Sequence, residues 1–124
     1  MSRSIQEPLP ARPPKRILVV AHDPRLRETR ASLLENANYA VTTAISDDDA
    51  LKLLNRRNFD LVLIGRSALL PVRPLDQRIN EKYPNLPLLK IDTLSAEPSL
   101  YATRTIIAHP GHVLLAIQEM LAYL

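Results

Sequence analysis

A chain of 124 residues with 46% apolar content is sized for one domain with a real core. It has no cysteine, which excludes a disulfide framework and thiolate metal ligation, and no apolar run approaches the roughly 20 residues that span a bilayer. The net charge of +3 sits in the first sixteen residues, where Arg3, Arg12, Lys15 and Arg16 face only Glu7; from Ile17 onward acidic and basic residues balance.

Residues 1–15, with Pro8, Pro10, Pro13 and Pro14, read as a disordered basic leader, because proline breaks helix and central strand alike. The leader holds no apolar stretch for a secretory signal, so a cytoplasmic location without a membrane partner is expected. The body that follows is neutral, which argues against nucleic acid as a partner.

Residues 16–124 alternate between short apolar runs and amphipathic segments. Arg16 to Val20 (RILVV) predicts a buried strand. Asp23-Pro24 supplies an N-cap and a first-turn proline for a helix to about Asn36, with Leu26, Leu33 and Leu34 inward. Tyr39 to Ala44 predicts the second strand. Ser46 caps a second helix with Asp47, Asp48 and Asp49 in its first turn, where the helix dipole favours anions, and with Ala50, Leu51 and Leu54 buried. Leu61 to Ile64 is the third strand, Pro74 to Tyr83 the third helix with Leu75 and Ile79 inward, and Leu86 to Ile91 the fourth strand. Between Asp92 and Thr105, Pro98 leaves room for at most one helical turn, around Ser99 to Thr103. Thr105 to Ala108 is the fifth strand. His112 to Tyr123 is the last helix, with Val113, Leu114, Ile117, Met120 and Leu121 inward, and Gly111 serves the turn into it.

This alternation predicts an α/β three-layer sandwich. Right-handed crossovers give a five-stranded parallel sheet of flavodoxin-like order 2-1-3-4-5, with its working crevice at the carboxyl ends of strands 1 and 3.

From Lys15 to Leu124, the order and spacing of ILVVAHDP, FDLVLIG, RINEKYPNLPLLKID and IIAHP resemble the receiver domains of the CheY-like response-regulator family. The resemblance implies a phosphoacceptor aspartate at the end of the third strand, where this chain has Gly65. It implies an acidic, Mg²⁺-holding pair where this chain has Ala21 and His22, with Asp23 one place later as the helix cap. It implies Thr or Ser at Asp92, Lys at His109 and an aromatic switch residue at Ile106. It also implies a full fourth helix, here shortened or absent. Alanine offers Mg²⁺ no ligand and glycine cannot take a phosphoryl group. The chain thus resembles a degenerate, or pseudo-, receiver.

The crevice residues are then Ala21, His22, Asp23, Gly65, Arg66, Asp92 and His109. A hydrogen-bonded Asp92–His109 pair, joined by Arg66, would close it. A sharper reading makes His22, His109 and a carboxylate a zinc site. With two glycines there is no phosphate loop, and no catalytic constellation follows from spacing, so neither enzyme activity nor a cofactor is expected.

The function expected is a phosphorylation-independent signalling module that acts by protein–protein interaction in a two-component setting. Its partner would be a histidine kinase, another regulator or a second copy. Leu26, Arg27 and Arg30 on the first helix correspond to the family's kinase-docking surface, and Leu100 and Tyr101 form a second candidate patch. The alternatives are a small-ligand or metal sensor using the vacated crevice, and a regulator phosphorylated at Asp92 or Asp60.

Overall fold

The computed structural model describes residues 13–65, 73–92, 101–107 and 109–122. Its elements in chain order are β1 (Arg16–Val20), α1 (Pro24–Asn36), β2 (Ala40–Ala44), α2 (Asp47–Arg56), β3 (Leu61–Ile64), α3 (Leu75–Lys82), β4 (Leu88–Asp92), β5 (Arg104–Ile107) and α4 (Pro110–Leu121). All neighbouring strands are parallel, in the order β2-β1-β3-β4-β5, as the alternation predicts. Element ends differ from the sequence reading by one or two residues. The largest change is at α4, which starts at Pro110, so Gly111 lies in its first turn.

The pleat sorts the core into two layers. Ile17 and Val19 of β1 join Leu61, Leu63, Leu89 and Ile91 on the face covered by Leu34 of α1 and Val113, Ile117 and Leu121 of α4. Leu18 and Val20 join Val62, Ile64 and Leu88 on the other face, under Ala50 and Leu54 of α2 and Leu75 and Ile79 of α3. A strand buried on both faces has no polar side to show, which is why these strands read as continuous apolar runs. Each fully buried Leu or Ile stabilises the fold by about 1.5–3 kcal/mol relative to exposure. Ile106 belongs to the first layer.

The helix ends follow from their residues. Asp23 caps α1 by accepting from Arg25 N at 2.8 Å. The helix stops in a Schellman turn: Tyr39 N donates to Leu34 O, Asn38 N donates to Glu35 O, and Asn38 takes φ 71°, which asparagine tolerates. Ser46 caps α2 by accepting from Asp49 N, and the Asp49 carboxylate accepts from Ile45 N in return. The triple aspartate is thus part of a helix start, as expected.

Two expectations about α1 are overturned. Leu26 is not inward; it is 42% exposed. Arg30 is not on the surface; it is only 8% exposed, because it stands one turn before Leu34 on the inner face. Of the β4–β5 connection, Tyr101–Thr103 are described and are not helical, and the rest of the expected turn lies outside the described residues. There Thr103 N donates to Leu88 O, and its Oγ1 accepts from Leu88 N, which ties this segment to the start of β4. Among the described residues no helix is long and apolar enough to cross a membrane.

Candidate functional site: the crevice at the carboxyl end of the sheet

β1 and β3 are adjacent, and their chains leave the sheet toward opposite sides. Ala21 N still donates to Ala44 O at 3.2 Å, and Gly65 N to Val20 O at 2.9 Å, so both residues prolong the ladder by one step and line the crevice floor. Both are buried.

The space above Gly65 is taken. A Cβ built there would stand 2.6 Å from Nη1 of Arg30 and 3.3 Å from Val20 O. The first distance is well inside van der Waals contact, so the guanidinium occupies the place where any side chain at 65 would begin. Burial lowers the Arg30 pKa, and the Asp23 carboxylate opposes this by raising it. A guanidinium so shifted still remains charged. Among the described residues, none gives it a hydrogen bond or an ion pair within 4 Å.

The other crevice groups are engaged locally. Asp23 is committed to the α1 cap. Arg27 is half-buried and turns back, its Nη1 donating to Ala21 O at 2.9 Å. His22 points to α2, with Nε2 3.6 Å from Oδ1 of Asp47. His109 is the N-cap residue of α4 but makes no side-chain cap bond, and its ring lies against that of His112 at 4.6 Å and 37°. One helical turn brings the two imidazoles together.

The structure thus gathers Ala21, Asp23, Gly65 and Arg30, and turns His22 and His109 toward other neighbours. Among the described residues, no group of three or more His, Cys, Asp or Glu converges as a metal site would need. Asp92 ends β4 opposite Ile107, but its side chain, like Arg66 and Leu100, lies outside the described residues. Tyr101 is half-buried. At the other end of the sheet a cleft of about 570 Å³ is lined by Lys15, Phe59, Asp60, Tyr83 and Pro87, among others. Asp60 belongs there, accepting from Arg16 N at 2.7 Å, which removes it from the crevice altogether.

No family model matches the chain, and no curated protein matches it. Solved structures do. The response regulator TrrA from Thermotoga maritima, in complex with Mg²⁺ and BeF, aligns with TM-score 0.77 and 23% identity over 86% of this chain and 99% of its own. A CheY-like receiver domain protein from Methanospirillum hungatei JF-1 aligns with TM-score 0.75 and 22% identity over 89% and 95%. Vibrio cholerae CheY4 aligns with TM-score 0.71 and 22% identity over 87% and 99%. The structural neighbours are CheY-like receiver domains.

At these identities the likeness is one of receiver fold. In this fold Gly65 follows the end of β3 and Ala21 the end of β1. Sequence reasoning reached these positions but missed Arg30, the side chain that fills them. The signal was available: Arg30 lies four residues from both Leu26 and Leu34, and so shares a helix face with a core leucine.

Proposed function

We propose that this chain is a phosphorylation-independent, receiver-like signalling module acting by protein–protein interaction in a two-component context. Receiver domains are generally non-enzymatic signalling modules. The observation that carries the reading is Arg30 at Gly65: the acceptor carboxylate is missing and a guanidinium stands at its root. A cation fixed there repels Mg²⁺, and Ala21 and His22 offer that ion no carboxylate. The histidine kinase, the other regulator and the second copy share one candidate docking face. It is the first half of α1, where Leu26 is exposed and Arg27 half-buried.

The test is mass spectrometry after incubation with acetyl phosphate and Mg²⁺, paired with sedimentation analysis of the unmodified protein. The expected result is no added phosphoryl mass and an association constant that is unchanged by the treatment. A phosphoryl adduct at Asp92 or elsewhere would overturn the reading.

A small-ligand sensor is the second reading, and one observation favours it: a buried guanidinium with no acceptor among the described residues.

A further inference from the structure

The five N–H donors of a guanidinium form a fork that fits two oxygens of one carboxylate or phosphate group. In folded proteins a buried charge is paired and hydrogen-bonded, because desolvation otherwise costs far more than the fold can spare. Arg30 is 8% exposed, and no described residue pairs with it.

The neighbouring groups relieve it only in part, and none within hydrogen-bond reach. The Asp23 carboxylate acts on Arg30 through space but is held by the Arg25 N–H at 2.8 Å. Arg27 spends Nη1 on Ala21 O, and His22 faces Asp47. Ala21 and Gly65 bring no polar side chain. Arg30 is therefore the buried donor of the crevice that lacks an acceptor among the described residues, and the absence of a Cβ at residue 65 leaves its guanidinium room there.

Its position adds a second argument. From β1 the chain crosses through α1 to β2 on one side, while β3 leads through α3 to β4 on the other. In open parallel sheets this reversal creates the crevice in which ligands bind, beyond the carboxyl ends of the strands. Arg30 delivers its charge at that reversal, against Val20, Ala21 and Gly65.

We propose that this crevice is a noncovalent oxyanion site in which the Arg30 guanidinium receives two oxygens of a carboxylate or phosphate group. The proposal deepens the sensor reading and rests on it; the partner-module reading stands or falls separately. No bond is made or broken, so the site needs neither Mg²⁺ nor an acceptor side chain. Gly65 acts as the permissive position, because any Cβ there evicts the guanidinium.

The experiment is an amide NMR titration of the full chain at constant ionic strength, first with inorganic phosphate and then with acetate. Saturable shifts at Ala21 and Gly65 are expected, fitting one site. They should vanish in Arg30→Met and weaken in Gly65→Ala. In Arg30→Lys, which keeps the charge but loses the fork, affinity should fall about tenfold. Anion should raise the thermal midpoint of the wild type and leave that of Arg30→Met unchanged. The anion that saturates at lower concentration identifies the source as phosphate or carboxylate. Shifts that never saturate, or that persist unchanged in Arg30→Met, overturn the site. Should Arg30→Met fail to fold, the wild-type titration and Arg30→Lys still decide. A separate titration with Mg²⁺ and beryllofluoride keeps the two readings apart. A Mg²⁺-dependent response would sink phosphorylation independence, whereas silence there alongside saturable phosphate shifts supports both.

Discussion

At the amino end of the sheet, Asp60 accepts from Arg16 N at 2.7 Å, Thr103 Oγ1 accepts from Leu88 N at 2.9 Å, and the Arg16 guanidinium lies 5.8 Å from the Phe59 ring centre. At the carboxyl end of the same strands a guanidinium is buried with no partner among the described residues. One end satisfies its polar groups strand by strand. The other holds a charge whose burial costs stability unless something answers it. The difference teaches that the polar ties of this sheet are distributed unevenly, with the paired groups at its amino end. The two core layers and the amino-end ties hold the strands together, and the Arg30 guanidinium at the carboxyl end adds no tie to them among the described residues.

The largest expected effect asks whether the two ends belong to one cooperative unit. Leu63 is fully buried in β3, paired between Val19 and Leu89. Leu63→Ala should cost about 3 kcal/mol in denaturant unfolding. Hydrogen exchange at Ile17 and at Gly65 should accelerate together. Faster exchange at one end alone would mean that the ends open independently, and the comparison would then concern two subunits of stability rather than one.

Next in size is Asp60→Ala. It removes a charge-assisted acceptor from Arg16 N at a partly exposed site, so the loss should be about 1.5 kcal/mol. Anion binding at the opposite end should not change. A coupled loss of phosphate shifts at Gly65 would erase the separation of the two ends.

How far the chain discloses itself follows the same division. The sheet order was legible because doubly buried strands must be apolar throughout, and RILVV and LVLI are nearly so. The helix starts were legible because Asp23 and Ser46 bond the nearest backbone N–H groups, an effect of local geometry alone. At the carboxyl ends of β1 and β3 only the residue types at 21 and 65 were legible. What fills the space over Gly65 is a side chain from α1 reaching over the end of β3, a contact between residues 35 positions apart that no local pattern encodes. The resemblance set Arg30 near a docking surface, whereas the helical period sets it beside Leu34. The orientation of His22 toward Asp47 was hidden for the same reason, since it requires knowing how α2 leans over β1.

A smaller effect tests that long-range contact directly. Gly65→Ala should destabilise the wild type, since its Cβ meets Arg30 Nη1 at 2.6 Å and Val20 O at 3.3 Å. The penalty is moderate because the guanidinium is the flexible end of its side chain and because alanine lowers the entropy of the unfolded chain. In the Arg30→Met background the same substitution should cost less, giving a coupling energy of about 1 kcal/mol in a double-mutant cycle. Additive effects would show that Arg30 withdraws freely from the crevice, and Gly65 would lose its role as the permissive position.

The smallest expected effect on stability concerns the exposed first turn of α1. Leu26 is 42% exposed, so Leu26→Ala should change unfolding by no more than about 0.5 kcal/mol. If the first half of α1 is the docking face, the same substitution should weaken self-association or kinase binding severalfold in sedimentation or titration experiments. The control is Leu115 on α4, which is 52% exposed. A Leu115→Ala variant that weakens association while Leu26→Ala does not would move the interface to α4. The crevice and the partner face would then no longer share a helix, and anion binding at Arg30 would have no direct path to the partner. If Leu26→Ala alone acts, α1 carries both functions: Arg30 holds its guanidinium over Gly65, and Leu26, one turn earlier, meets the partner.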